Sequence, residues 1–98
     1  MTTGNPFPHI PLPPGATADD WEENLQRPGY SRSLTWASYD GPGGRFSVDI
    51  GGAQQSDGSY TRHISIWGVP EGDGISSNDA HELGALLITA ADELDRLG

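Results

Sequence analysis

The last quarter of the chain repeats apolar residues at intervals of three and four, a spacing that predicts one long α-helix. The repeating positions are Leu83, Leu86, Leu87, Ala90, Ala91, Leu94 and Leu97. They form a single apolar stripe on a helix and fit no strand. Ser76 is placed to cap the helix N-terminus, with Asp79 three residues later in the capping-box position. Gly84 inside this helix predicts a closely approaching strand or aromatic ring.

Alternation of polar and apolar residues predicts three strands, at residues 33–39, 45–50 and 60–69. Asp57-Gly58 predicts a two-residue type I′ hairpin turn, in which both central residues have φ > 0. With that turn, a one-residue bulge at Gly51-Gly52 is needed to place Ile50 opposite Ile64. We therefore predict the bulge. The expected core face comprises Leu34, Trp36, Phe46, Val48, Ile50, Ile64 and Ile66.

The segment before the strands predicts a short helix or helical turn. Thr17 and Asp20 repeat the capping-box spacing, and Trp21 and Leu25 share one helical face. The expected fold class is α+β, with the order α-β-β-β-α. A three-stranded antiparallel sheet of two hairpins carries the long C-terminal helix on one face.

Prolines dominate the start of the chain and predict an extended arm over residues 1–16, because proline fixes φ and cannot donate to a ladder. Residues 17–98 are expected to form one small domain. Two PxxP patterns, Pro8–Pro11 and Pro11–Pro14, lack the flanking basic residue of groove-binding ligands. We expect Phe7, Ile10 and Leu12 to fix the arm across the domain.

The charge of this 98-residue chain is −9, from 14 acids and five arginines, with no lysine and no cysteine. Such a chain is repelled by nucleic-acid backbones and by anionic membranes. The absence of cysteine excludes disulfides and thiolate metal sites. Because no apolar run is long enough to span a bilayer and no signal-peptide pattern is present, we expect a cytoplasmic location, or the host cytoplasm for a phage-encoded protein.

The sheet face opposite the helix is expected to carry the partner-binding residues. They are Thr35, Tyr39, His63, Trp67 and Val69. One long helix cannot cover both faces of a sheet, and exposed aromatic patches mark association. Three alternatives stay open: cover by another part of the chain, a homodimer, or a different protein partner.

Catalytic patterns are missing from the sequence. His9, His63 and His81 lie in three different predicted elements, and neither glycine-rich segment leads into a helix start with a lysine. We therefore predict no catalytic residues, no metal and no cofactor. The order of elements is also that of the double-stranded-RNA-binding domain, which binds through basic residues. Ser76, Asp79 and Glu82 stand at the corresponding helix start, so nucleic-acid binding is not expected.

Three segments resemble those of short uncharacterised proteins encoded by actinobacteria and their phages. They are Leu12-Pro13-Pro14-Gly15-Ala16 leading to Asp19-Asp20-Trp21, Gln55-Ser56-Asp57-Gly58 followed by Arg62, and Ala90-Ala91-Asp92-Glu93-Leu94-Asp95. The resemblance implies a small accessory protein and carries over no site residue. We predict a non-enzymatic protein-interaction module, acting on a host protein or as a homodimer. The alternatives are an acidic nucleic-acid mimic that inhibits a DNA-binding protein and a nucleic-acid binder of the double-stranded-RNA-binding type.

Overall fold

The fold is α+β, with an antiparallel sheet and one C-terminal helix. The computed structural model describes residues 6–70, 72 and 74–98, so residues 1–5 of the predicted arm and residues 71 and 73 before the helix lie outside the description. The elements are β1 (Thr17–Ala18), β2 (Glu22–Glu23), β3 (Tyr30–Asp40), β4 (Ser47–Gln55), β5 (His63–Trp67) and α1 (Ser77–Leu97). The strand order is β1-β3-β4-β5, and β2 also pairs with β3.

The prediction of a short N-terminal helix and of only three strands is wrong. β1 and β2 occupy that segment, with Thr17 opposite Thr35 and Glu22 opposite Ser31. The Thr17 hydroxyl donates to the Thr35 carbonyl oxygen at 3.3 Å instead of capping a helix. So short a helix is marginal by itself, whereas the edge of β3 offers main-chain partners to an extended segment.

The long helix is confirmed, together with its predicted N-terminal cap. The Ser76 hydroxyl accepts the Asp79 N–H at 3.1 Å, and Gly98 ends the helix with φ 84°. The apolar stripe is less buried than expected, because only Ala90 is fully buried and the stripe's leucines are half-buried. The expected close neighbour of Gly84 is absent among the described residues, since no atom outside the adjacent residues and the helix's own backbone lies within 4 Å of the position of a Cβ there.

The turn before β5 differs from the predicted type I′ turn. The Gly58 N–H donates to the Gln55 carbonyl oxygen at 2.9 Å, and Gly58 has φ 94°. Asp57 has a negative φ, since no described residue other than glycine has a positive one. The loop is therefore one residue longer than predicted, and Gln54 pairs with Tyr60.

The bulge at Gly51-Gly52 stays a prediction, because the pairing of Gln54 with Tyr60 is an isolated bridge outside β5. In the second unit, a Cβ at Gly68 would lie 1.9 Å from the Arg45 carbonyl oxygen. A side chain at Gly68 would thus collide with the neighbouring main chain.

The described chain divides into two compact units. Of the described residues, the first unit comprises 6–36 and Gly51–Arg62, and the second comprises Ala37–Ile50 and those within 63–98. Ile10 and Leu34 are buried in the first unit; the second buries Phe46, Val48, Ile50 and Ala90. The predicted core list is therefore only partly correct, because Trp36 and Ile64 are half-buried and Ile66 is 47% exposed.

Candidate functional site

Trp67 stands on the sheet of the second unit in a set of side chains contributed by three neighbouring strands. In β4, Asp49 lies between the fully buried Val48 and Ile50 and therefore points to the opposite face. Its Oδ2 accepts the indole N–H of Trp67 at 3.0 Å. Its Oδ1 accepts the hydroxyl of Ser38, on β3, at 2.6 Å. We call Ser38, Asp49 and Trp67, together with His63 and Ser65 on the same face of β5, the Trp67 surface.

The Trp67 side chain combines exposure with a fixed polar end. It is 57% exposed, although its indole N–H already has an acceptor. Val69, two residues further along, is 42% exposed. The carboxylate of Asp49 uses both oxygens to hold a hydroxyl and an indole, so the ring is oriented before any contact with another molecule. This arrangement positions an apolar surface. In a catalytic triad a histidine lies between the serine and the carboxylate, whereas Ser38 donates its hydroxyl hydrogen directly to Asp49.

The five predicted partner-binding residues do not all share this surface. His63 and Trp67 alternate with Ile64 and Ile66 along β5 and lie on one face. Tyr39 follows Ser38 on β3 and therefore points to the other face, which carries α1. Thr35 belongs to the first unit, where it pairs with Thr17 of β1.

Arg96 and Glu93 form an ion pair in the last turn of α1. The hydrogen bond and the charge of Glu93 raise the pKa of Arg96, and Tyr39 adds a smaller contribution to the same shift. The same pairing lowers the pKa of Glu93. Strand alternation alone separates Tyr39 from Trp67. An alternation pattern cannot predict this change of face, because it depends on the pairing of β3 with β4.

The start of α1 is held against the turn between β3 and β4. Arg45 pairs with Asp79 at 3.0 Å, and the Gly43 N–H donates to Glu82 Oε1 at 3.4 Å. Sequence analysis assigned both acids to the helix start alone. Their contacts with the turn explain them without a metal. Among the described residues no group of three or more His, Asp and Glu side chains is arranged to hold one.

A buried polar network in the first unit was missed by sequence analysis. Arg32 and Gln54 are 9% and 2% exposed, and Gln54 Oε1 accepts Arg32 Nε at 2.9 Å and Arg32 Nη2 at 2.7 Å. Gln54 Nε2 donates to the Pro11 carbonyl oxygen at 3.1 Å. The Arg32 guanidinium also lies 4.5 Å from the ring centre of Trp21. These contacts attach the proline-rich arm to the sheet, so their role is structural.

The sequence offered one signal for this network. Arg32 has the same strand parity as the buried Leu34, so alternation places a charged residue on an apolar face. Nothing in the sequence pointed to Gln54 as its partner. Asp49 and Ser38 were missed for the same reason, since polar residues in a sheet acquire a role only through pairing across strands.

Compared with protein-family models, with curated proteins and with solved structures, the chain matches none. No helix in the described part of the chain is both long and apolar enough to cross a membrane.

Proposed function

We propose that this protein is a non-enzymatic protein-interaction module that binds a protein partner through the Trp67 surface. The observation that carries the proposal is the exposed Trp67 ring, held by the Asp49 carboxylate. A large aromatic group in one fixed orientation loses little conformational entropy on binding. Tryptophan is also among the residues that most often dominate interface energies.

The surroundings of the ring favour a protein partner. Ser38, Ser65 and His63 place polar side chains around an apolar centre, which matches the composition of an interface with a polar rim. Val69 adds further exposed apolar area. The resemblance to actinobacterial and phage proteins suggests a host protein of an actinobacterium as the partner.

The test is affinity capture from an actinobacterial lysate with the wild type and two variants as baits. Trp67→Ala removes the ring, and Leu25→Ala is the matched control because Leu25 is 99% exposed and belongs to the first unit. Circular dichroism must first show that both variants are folded. We expect a specific protein to be retained by wild type and by Leu25→Ala and lost from Trp67→Ala.

Direct binding to the purified captured protein gives the magnitude. Loss of a central aromatic anchor costs at least about 2 kcal/mol, or roughly 30-fold in Kd. Asp49→Ala keeps the ring and releases its indole N–H, so we expect a smaller loss of affinity. Equal affinity of wild type and Trp67→Ala would overturn the proposal.

An acidic mimic of nucleic acid is the second candidate, and the exposed acids of the first unit favour it. Asp19, Asp20, Glu22 and Glu23 are all exposed on or beside β1 and β2. A row of carboxylates can occupy a basic nucleic-acid groove, and such binding weakens steeply with salt. A captured partner that is released by salt and is unaffected by Trp67→Ala would favour this candidate over the Trp67 surface.

A further inference from the structure

Asp57 is followed by glycine in an exposed loop, and the main chain of such a pair can rearrange covalently. The glycine nitrogen attacks the side-chain carbon Cγ of the aspartic acid and forms a C–N bond. The hydrogen of the nitrogen and the hydroxyl of the carboxyl group leave together as one water. The resulting cyclic succinimide takes up one water at either carbonyl group, which gives aspartate or isoaspartate. In isoaspartate the main chain runs through the former side chain, and the mass is unchanged.

The nitrogen that would attack is engaged in the folded loop. The Gly58 N–H donates to the Gln55 carbonyl oxygen at 2.9 Å. Ring closure removes the hydrogen of this nitrogen, so the bond to Gln55 has to break first. The loop therefore raises the barrier of the first step by the free energy of that hydrogen bond.

The carboxyl group of Asp57 is held in its unreactive form. An ionised carboxylate is a poor target for a nucleophile, and only the protonated acid can give up its hydroxyl as part of water. The Asp57 Oδ1 atom accepts the Ser59 hydroxyl at 2.6 Å and the Ser59 N–H at 2.9 Å. Hydrogen bonds to a carboxylate favour its ionised form, and here they lower the pKa of Asp57. At neutral pH the folded loop therefore contains little of the reactive acid.

We propose that Asp57-Gly58 is a site of covalent modification, at which the bonds to Ser59 and Gln55 suppress isoaspartate formation for as long as the loop stays folded. Isoaspartate at position 57 then forms only in chains whose loop has opened. The inference goes beyond the proposed function and is independent of it, because this loop belongs to the first unit and Trp67 to the second.

Modification at this site reaches the buried polar network of the first unit. Gln54 Nε2 donates to the Gly58 carbonyl oxygen at 3.3 Å and to the Pro11 carbonyl oxygen at 3.1 Å. Isoaspartate adds one atom to the main chain between Asp57 and Gly58, so the Gly58 carbonyl group has to move relative to Gln54. Gln54 is also the acceptor of the buried Arg32 guanidinium. The bonds that suppress the reaction thus also preserve the attachment of the proline-rich arm.

The experiment measures isoaspartate in the full chain after incubation at neutral pH, below the melting temperature. Cleavage by trypsin after arginine places Asp57 on the peptide 46–62 and Asp40, which is also followed by glycine, on the peptide 33–45. An isoaspartyl peptide keeps the mass of its parent but differs in retention and in main-chain fragmentation. Liquid chromatography with mass spectrometry therefore gives a separate rate for each site.

Ser59→Ala removes the hydroxyl that binds the Asp57 carboxylate. We expect isoaspartate to form about fivefold faster at Asp57, the change in rate that follows the loss of one typical hydrogen bond. The rate at Asp40 should stay at its wild-type value, which shows that the variant is not unfolded. Ser33→Ala is the matched control, because Ser33 is an exposed serine of the same unit in β3. We expect wild-type rates at both sites in this control.

The wild type in guanidinium chloride provides a test that needs no variant. Unfolding removes the bonds to Gln55 and Ser59 together, so Asp57 should react at least about fivefold faster than in the folded chain. Equal rates at Asp57 in the folded and the unfolded wild type would overturn the proposal. So would a Ser59→Ala chain that keeps the wild-type rate at Asp57. If Ser59→Ala raised the rates at Asp40 and Asp57 alike, the variant would be unfolded and the wild-type comparison would decide.

Discussion

Gln54 is the residue whose replacement we expect to destabilise the first unit most, because it is the sole described acceptor of the buried Arg32 guanidinium. Gln54→Leu keeps the approximate volume and removes the acceptor. Leaving a buried charged donor unsatisfied should lower the free energy of unfolding by about 3 kcal/mol. Urea denaturation followed by tryptophan fluorescence measures the loss.

The double variant Arg32→Leu with Gln54→Leu is the control for this mechanism. It removes the buried charge as well as its acceptor, so we expect it to be more stable than Gln54→Leu alone. If the double variant lost as much unfolding free energy as the two single variants together, the two side chains would act independently.

Asp57 is the residue for which we expect a clear pH effect. Its Oδ1 accepts the Ser59 hydroxyl at 2.6 Å and the Ser59 N–H at 2.9 Å, and these bonds lower the pKa of Asp57 below its ordinary 3.8. Folding therefore favours the charged carboxylate. The resulting stabilisation is present above the unfolded-state pKa and is lost as the pH falls through the folded-state pKa.

Ser59→Ala should raise the pKa of Asp57 toward its ordinary value, because the hydroxyl is the larger cause of the shift. An NMR titration of the Asp57 carboxyl carbon in the wild type and the variant gives the result. An unchanged pKa of Asp57 in the variant would contradict the assignment of the shift to the hydroxyl.

At the scale of the elements, Gly84 in α1 is a position where a substitution should raise the stability of the fold. Glycine in a helix interior costs up to about 1 kcal/mol relative to alanine, and a Cβ at Gly84 meets no described atom within 4 Å. Gly84→Ala should therefore stabilise the fold by about 0.5–1 kcal/mol. Thermal unfolding at several protein concentrations measures the gain and separates it from any effect on association.

Gly52→Ala, in β4, is the matched control. We expect this substitution to lower the stability of the fold, whereas Gly84→Ala should raise it. A Cβ at Gly52 would lie 1.8 Å from the Thr61 carbonyl oxygen, so β4 and the segment that carries Thr61 would have to separate. If both alanine variants had the same effect, close approach of the backbone would not explain the glycine at position 52.

At the scale of the whole molecule, the net charge of −9 should make stability depend on salt. The ion pairs among the described residues involve only Asp79 and Glu93 of the acids, which leaves the excess negative charge unpaired. Raising the salt from about 10 to 150 mM shortens the screening length from about 30 to 8 Å. We expect Tm to rise by a few degrees at pH 7, because the compact state suffers most from self-repulsion.

The control is the same pair of salt concentrations near the pI of about 4.3, where the net charge vanishes and salt should have little effect on Tm. A fall of Tm with salt at pH 7 would mean that the ion pairs outweigh the repulsion. Scanning calorimetry gives both results on one sample.

The sequence by itself determined the α+β class, the helix with its Ser76 cap and the two glycine-containing turns that join β3, β4 and β5. These features depend on neighbours within a few residues, so periodicity and capping chemistry are enough to predict them. The exposed position of Trp67 beside Val69 also followed from the predicted alternation, once the helix had been assigned to the other face.

Only the tertiary structure decided which residues the polar side chains and the short strands pair with. Residues 17–18 and 22–23 became strands because β3 offers a pairing edge, and the loop at Asp57-Gly58 is one residue longer than predicted. Tyr39 lies on the face opposite Ser38, and Asp49 became the partner of Trp67 through pairing across strands. Such contacts join residues far apart in the chain, and their energies depend on register, which no local pattern encodes.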